Sequence, residues 1–306
     1  MAATLVVIAL LIGATLRVAT PIAYAALGAT YSERSGVVNV GLEGIMLLGA
    51  FMGVYMSSLT NNAWLGVLGA AVMGCIAAAV LGFICISLRA NQIVAGVALN
   101  ILALGLTRFG LEVVWGSPGV SPSVPGLEPL QIPLLDSIPT FGHAVFRQNA
   151  LVYAVIVIAI ASQVVLNRTR FGRHVEAVGE EPEAAESAGL NVRRIRYGAF
   201  LLGGALAGIG GSSLSLGELS LFVAGMVAGR GFIALAANIL GRWTAAGAYG
   251  ASLLFGGAEA LQVTLQNEGI RLPSDFLLML PYVLTIIALA GIVGRSHAPS
   301  ALARPY

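Results

Sequence analysis

The sequence contains no lysine: all 16 of its basic residues are arginine. A Walker A loop places a lysine on the phosphates of a bound nucleotide, so the chain is not by itself a P-loop ATPase. Charge of either sign is also scarce, at 10% of the 306 residues, whereas a soluble domain carries roughly a quarter. Together with a mean hydropathy of +0.90, this composition predicts a polytopic integral membrane protein.

Residues that carry reaction chemistry are few as well. The chain has two cysteines and three histidines, and no pair of them has metal-ligand spacing. Cys75 and Cys85 lie in one apolar segment, about 280° apart around a helix, so we interpret both as core residues. No nucleophile stands in a catalytic pattern with a base. We expect no metal site, no cofactor and no enzymatic activity in this chain. The net charge of +2 does not indicate nucleic acid, since the arginines follow membrane topology.

Long apolar runs dominate what is present, and a spanning helix needs about 20 such residues. Nine candidates satisfy this measure, with eight or ten possible because glycines interrupt the sixth to eighth: 2–27, 37–58, 64–88, 91–112, 149–167, 197–217, 227–241, 244–266 and 276–294. The predicted fold is therefore an all-α transmembrane helix bundle. We expect residues 1–306 to form a single transmembrane domain.

Arginine positions predict the orientation, because short cytoplasmic loops are enriched in basic residues. Six arginines fall in segment 168–196 alone. Further ones lie in loops of the same parity, at Arg34, Arg89, Arg242, Arg295 and Arg304. The proline-rich segment 113–148 has only Arg147. We expect an external N-terminus, a cytoplasmic C-terminus, an external loop at 113–148 and a cytoplasmic segment at 168–196.

Small residues recur at every fourth position in several of these runs, which allows helix backbones to approach closely in a bilayer. Three such stripes contain Gly66 to Gly82, Gly203 to Gly211 with Gly204 and Gly208 beside it, and Ala248 to Ala260. The pattern predicts tight helix contacts and does not identify a substrate.

The cytoplasmic segment contains a short predicted helix. Pro182 suits a first helical turn, the glutamates around it complement the positive end of the helix dipole, and Gly189 is a suitable C-terminal stop. The residues alone leave two interpretations open: a solvated connector that enforces topology, or a helix of about two turns that is presented to a cytoplasmic partner.

The string Glu183-Ala184-Ala185 followed by Gly189 resembles the Glu-Ala-Ala…Gly loop of permease subunits in bacterial ABC importers. Three further strings resemble signatures of the branched-chain amino acid, simple-sugar and nucleoside permease group, and are closest to its nucleoside or simple-sugar branch: Ser32–Met46, Gly229–Ala237 and Met279–Thr285. The resemblance implies that Glu183, Ala184, Ala185 and Gly189 couple the permease to an ATPase. It also implies a cytoplasmic ATP-binding subunit, a second homologous permease in a heterodimer and an extracytoplasmic substrate-binding protein.

Polar side chains within the spans are costly and usually face a cavity or a partner. Asn39 and Glu43 share one face of the second span. That face is either a substrate or gating surface, or Glu43 forms an ion pair there with a residue such as Arg34. Asn100 is a pathway candidate or an interhelical hydrogen-bonding group. Arg108 and Glu112 are one turn apart, so we expect them to pair with each other.

The eighth predicted span has a polar stripe of Glu259, Gln262 and Gln266. With Asn238 in the seventh, these residues either bind the hydroxyls or base edges of a solute or join helices to each other. Arg230 begins the seventh span, where its charge opposes the helix dipole. We therefore expect an acidic or carbonyl partner for it.

These observations predict a permease subunit of an ATP-driven importer in a bacterial inner membrane. It would be surrounded by lipid and would move a small neutral solute, a nucleoside or a simple sugar, by alternating access. The candidate pathway residues are Asn39, Glu43, Asn100, Asn238, Glu259 and Gln262. The alternatives are a branched-chain amino acid permease, whose site would need groups that complement both charges of an amino acid, and a stand-alone secondary transporter.

Overall fold

The computed structural model describes residues 2–130, 145–267 and 298–304. These ranges contain ten α-helices: α1 (Ala2–Arg34), α2 (Leu42–Thr60), α3 (Ala63–Gly82), α4 (Gln92–Trp115), α5 (Ala150–Arg168), α6 (Arg170–Glu180), α7 (Pro182–Ser187), α8 (Val192–Leu214), α9 (Arg230–Leu240) and α10 (Ala245–Asn267). One π-helical turn extends α3 over Phe83–Ser87 and another extends α8 over Ser215–Leu219. In the described ranges the β-pairing amounts to isolated bridges. The predicted all-α class is therefore confirmed.

Six of these helices are long and apolar enough to cross a membrane: α1 to α5 and α8, the third and eighth counted with their π turns. The predicted count of nine spans is not confirmed. Helix α9 has 11 residues, or about 16 Å, roughly half of a hydrocarbon core. Helix α10 has 23 residues and does not belong to the six. The predicted ninth span, 276–294, and the string Met279–Thr285 lie outside the described residues.

Helix α1 continues to Arg34, past the predicted end of the first span at residue 27. Its last turns contain buried polar side chains that satisfy one another and neighbouring helices. The Thr30 hydroxyl lies 2.9 Å from the Ala26 carbonyl oxygen and 2.8 Å from Asn238 Oδ1. Hydrogen bonding of this kind lets polar residues continue a helix inside a bundle. The length of the apolar run therefore underestimates how far α1 extends.

Helix α8 lies at the centre of the bundle, against α1, α2 and α3. It does so through the predicted stripes of small residues. Gly203 lies against Gly28 of α1, and Gly204 against Gly74 and Ala78 of α3, with backbone in contact with backbone. Gly211 meets the Met46 carbonyl of α2 in the same way. The prediction of tight helix contacts along these stripes is therefore confirmed.

Two connections inside the bundle are not helical: segment 35–41, which leads into α2, and segment 220–229, which leads into α9. The extended chain 116–130 runs beside segment 220–229 and is hydrogen-bonded to it. Backbone bonds join Ser121 N–H to the Phe222 carbonyl (2.9 Å) and Ala224 N–H to the Gly119 carbonyl (2.9 Å). These two segments determine where α2 and α9 begin.

Alanine substitution of glycines in α8 and α4 tests the packing. Gly204→Ala should lower the thermal unfolding midpoint in detergent, because its Cβ would collide with Ala78 and the Gly74 carbonyl, an overpacking cost of about 1–3 kcal/mol. The control is Gly105→Ala in α4, whose Cβ meets nothing within 4 Å. Alanine favours a helix over glycine by about 1 kcal/mol, so the control should not lower the midpoint. Equal shifts in both variants would contradict the assigned packing.

Candidate functional site

Helices α2 and α9 begin next to each other inside the bundle. A Cβ on Gly231, the second residue of α9, would lie 2.5 Å from the backbone nitrogen of Glu43, the second residue of α2. Both helices therefore direct the partial positive charge of their N-termini toward the same place. Arg230 contacts Glu259, about 21 Å along α10 from its start at Ala245, so this junction lies at depth in the bundle.

Glu43 compensates this charge at the N-terminus of α9. Its Oε1 accepts the Gly229 N–H at 2.7 Å, and its Oε2 accepts the Gly231 N–H at 2.8 Å. The sequence-based alternative in which Glu43 pairs with Arg34 is wrong. Arg34 instead pairs with Glu176 of α6 at 3.4 Å, on the side of the molecule where α6 lies. The carboxylate of Glu43 thus acts as a cap supplied by one helix to another.

Arg230 has the partners that its position predicts. Its Nη2 forms a 2.5 Å ion pair with Glu259 Oε1, and its Nη1 lies 3.4 to 3.5 Å from the Val227 and Met226 carbonyl oxygens. The side chains of Arg230 and Glu259 remain 20% and 27% exposed, so the junction borders open space. A cation at a helix N-terminus is unfavourable alone, and the anion Glu259 offsets it.

Two further charged residues belong to this site and were missed by the sequence analysis. The carboxylate of Glu218, in the π turn after α8, interacts electrostatically with Arg230, Arg17 and Glu259. Arg17 of α1 also donates from Nε to Gln148 Oε1 at 3.2 Å. The signal for both was available, because each is a charge within an apolar run. The described site therefore contains three carboxylates and two arginines: Glu43, Glu218, Glu259, Arg17 and Arg230.

Asn100 of α4 binds the start of α2, the second helix of the junction. Its Oδ1 accepts the Gly44 N–H at 2.8 Å, and its Nδ2 donates to the Val40 carbonyl at 3.0 Å. Both amide groups are therefore used to fix the start of α2, which is the interhelical alternative rather than a free pathway group. Asn39, in segment 35–41, is fully buried, and among the described residues neither amide atom has a hydrogen-bond partner.

Asn238 is likewise committed to helix contacts. Its Nδ2 donates to Glu33 Oε2 at 2.9 Å, and the Trp243 indole donates to the same oxygen at 2.6 Å. Glu33, 3% exposed, was not among the predicted candidates. This cluster joins α1 to α9 and to the turn that follows it. Among the predicted pathway residues, Glu43 binds the backbone N–H groups on either side of Arg230, and Glu259 binds the Arg230 side chain. Gln262 lies partly buried one turn beyond Glu259.

The short helix predicted in the cytoplasmic segment is present as α7, starting at Pro182. Ala185 is buried against Val178 and Val192, while Glu183 and Ala184 are exposed. Gly189 closes the helix with φ +86, a conformation that favours glycine, and a Cβ there would meet nothing within 4 Å. One edge of α7 therefore anchors the helix, and the other faces outward.

Helix α6, directly before α7, packs against the end of α1 and segment 35–41. Gly179 lies against the Arg34 carbonyl, where no Cβ would fit. Residues 298–304 reinforce this contact: Ala301 N–H donates to the Gly179 carbonyl at 2.9 Å, and Ala303 N–H donates to the Gly36 carbonyl at 3.2 Å. The segment that leads into α2 is thus tied to α6 and α7 by backbone contacts.

Comparison with known proteins agrees with this architecture. A family model described as the permease component of the branched-chain amino acid transport system matches residues 11–289. The chain is 37% identical to the guanosine ABC transporter permease protein NupQ of Bacillus subtilis, over 98% of this chain and 97% of that protein. It is 40% identical to the nucleoside ABC transporter permease protein NupC of Lactococcus lactis, over 92% of each. It is 35% identical to a putative glucose ABC transporter permease protein of Haloferax volcanii, over 97% of each.

Neutralising Glu259 tests the ion pair at the junction. Glu259→Gln should destabilise the fold by about 1.5–3 kcal/mol, the usual worth of a hydrogen bond to a charged group, because it leaves Arg230 facing a helix N-terminus. The matched control is Glu176→Gln, which breaks the Arg34 pair at a carboxylate that is 55% exposed and should cost less than about 1 kcal/mol. Thermal midpoints in detergent compare the two, and an equal or larger loss in the control would contradict the assignment.

Proposed function

This chain belongs to the family of permease components of branched-chain amino acid transport systems, and we propose that the solute it carries is a nucleoside. It is a multi-pass membrane permease subunit of an ATP-driven importer and not itself an enzyme. ATP is hydrolysed by a separate subunit of such transporters. The proposal concerns what passes through this permease, how it lies in the membrane and which residues transmit the motion.

The observation that carries the nucleoside proposal is the near full-length identity of 37% and 40% with permeases named for guanosine and for nucleosides. The site chemistry supports it. A nucleoside is neutral at pH 7 and offers hydroxyls and ring nitrogens, which carboxylates and amides such as those of Glu259 and Gln262 can bind. Glucose is the second candidate, since the glucose-named relative is 35% identical over the same extent.

We propose that the permease lies in a bacterial inner membrane with its N-terminus outside and its C-terminus in the cytoplasm. The arginine-rich segment 168–196 supports this orientation. It would place α6 and α7 in the cytoplasm and the extended chain 116–130 on the outer side. A substrate-binding protein would then deliver the solute to the outer face.

A second permease would cover the open face of α4. Arg108 and Glu112 are exposed on this face and, contrary to the pairing expected from their spacing, form no ion pair with each other. Charges that face lipid within a span are costly, and a partner permease or an aqueous cavity between two permeases would relieve that cost. The heterodimer proposed from the family resemblance agrees with this arrangement.

For coupling, we propose that the ATP-binding subunit contacts α7 through Glu183 and Ala184. Ala185 would transmit the load to α6 through its buried contact, and Gly189 would close the helix at the correct length. From α6, the backbone contacts at Gly179 lead to segment 35–41 and so to the start of α2. Movement there would open the junction to one side of the membrane or the other, as alternating access requires.

The substrate proposal is tested with the permease reconstituted in lipid nanodiscs together with its partner permease, ATP-binding subunit and binding protein. ATPase activity should rise with guanosine, adenosine or uridine, and should not rise with glucose or leucine. Stimulation by glucose alone would select the second candidate. Stimulation by leucine alone would restore the branched-chain amino acid assignment.

Substitutions at Gly189 test coupling separately from folding. Gly189→Leu should abolish transport while the protein still inserts in the membrane, because a branched side chain at positive φ costs roughly 1–2 kcal/mol of backbone strain and distorts the end of α7. Gly189→Asn is the control, since asparagine tolerates this conformation, and it should keep most of the activity. Uptake in vesicles and the amount of protein in the membrane are measured together. Full uptake by the leucine variant would refute the coupling role.

A further inference from the structure

The N-terminus of α9 is shaped as an anion-binding site, and a residue of this chain fills it. In transporters, the start of an interrupted helix within the membrane commonly binds an anionic group of the substrate, because free N–H groups and the helix dipole point toward it. Here both oxygens of Glu43 take that place, on the N–H groups of Gly229 and Gly231 at 2.7 and 2.8 Å. This two-pronged contact is the one that a solute carboxylate would otherwise make.

We propose that Glu43 is a resident anion that sets the specificity of this importer by excluding solutes with a carboxylate. The inference rests on the proposed function for the identity of the accepted solute. It goes beyond it by naming the residue of this chain that would select against solutes with a carboxylate, amino acids included.

The surrounding charges support this exclusion. The guanidinium of Arg230 is bound by Glu259, so its charge is not offered to a solute. A solute carboxylate that approached α9 would have to displace Glu43, leaving that charge without its partners. Desolvated charges without partners are costly.

Glu43 is held in position by the packing of the two helix starts. A Cβ on Gly231 would lie 2.5 Å from the Glu43 backbone nitrogen, so the glycine leaves room for Glu43 there. Asn100 fixes the next residue, Gly44, by accepting its backbone N–H. The carboxylate therefore reaches α9 from a fixed point on α2. Arg230 and Glu259 keep exposed fractions of 20% and 27%, so the described chain does not fully close over the junction.

The test removes the resident anion and offers another. Glu43→Ala should free the N–H groups of α9, so sodium acetate or formate should raise the thermal midpoint of the variant complex, whereas acetamide should not. Wild type should not respond, and neither should Gly105→Ala, whose Cβ meets nothing within 4 Å and which leaves the caps of both helices in place. An acetate response equal in all three proteins, or none in Glu43→Ala, would overturn the inference.

Specificity is the second readout, because a purely structural cap would not change it. Leucine should not compete with nucleoside uptake by the wild-type importer. In Glu43→Ala leucine should compete, with an inhibition constant on the order of tenfold or more below the highest leucine concentration that leaves wild-type uptake unchanged, which corresponds to about 1.4 kcal/mol or more. If the alanine variant does not assemble, Glu43→Gln replaces it, because glutamine keeps the side-chain volume without the charge. Leucine competition unchanged from wild type in both variants would overturn the inference. Failure of wild type to transport any nucleoside would reject the proposed function instead, since the acetate experiment requires no substrate.

Discussion

Two helices that start inside a membrane protein impose one electrostatic requirement on everything around them. The first turns of α2 and α9 have N–H groups without intrahelical acceptors, and no bulk water is available to bind them within a bilayer. Glu43 supplies the acceptor for α9, and Asn100 supplies one for α2. The N-terminus of α9 offsets the charge that Glu43 introduces, and Glu259 offsets the charge of Arg230. The positions of α4 and α10 in the bundle follow from these contacts as much as from apolar packing.

The glycine stripes make this arrangement possible by allowing a thin central helix. Because α8 presents Gly203, Gly204, Gly208 and Gly211 to its neighbours, α1, α2 and α3 approach it backbone to backbone. Close approach keeps the bundle narrow, so α2 can lie within reach of α9 without a large side chain between them. Lipid chains are as apolar as leucine, so tight packing and polar contacts rather than the hydrophobic effect hold such helices together.

Sequence reasoning predicted the parts that depend on local pattern. The apolar runs indicated the long helices, and Pro182 with Gly189 indicated the bounds of α7. For polar residues, only the chemical type of the partner was predictable. Arg230 was expected to have an acidic or carbonyl partner, but its position in the sequence does not identify that partner as Glu259. Asn238 and Asn100 were pathway candidates on polarity and depth, with helix contacts as the open alternative, and their partners Glu33 and Gly44 come from other helices. Such contacts depend on the three-dimensional arrangement, so spacing along one helix does not reveal them. The same limit explains why α9 was taken for a full span, since residues 227–229 extend the apolar run without being helical.

The junction is held from two sides by different parts of the chain, and this division has a mechanical consequence. Segment 35–41, on the α2 side, packs against α6 at Gly179, and its Gly36 carbonyl accepts a hydrogen bond from residues 298–304. The α9 side is held by Glu259 of α10 and, at the opposite end of the helix, by Asn238 and Trp243 on Glu33. In the proposed coupling, a displacement of α6 would act on α2 through segment 35–41, while α9 stays attached to α10. The two hydrogen bonds of Glu43 connect these halves, so they would bear any relative motion between them. A bidentate contact of this kind is directional, and it breaks over a small displacement rather than stretching, which is the property that a switch between two states of the pathway requires.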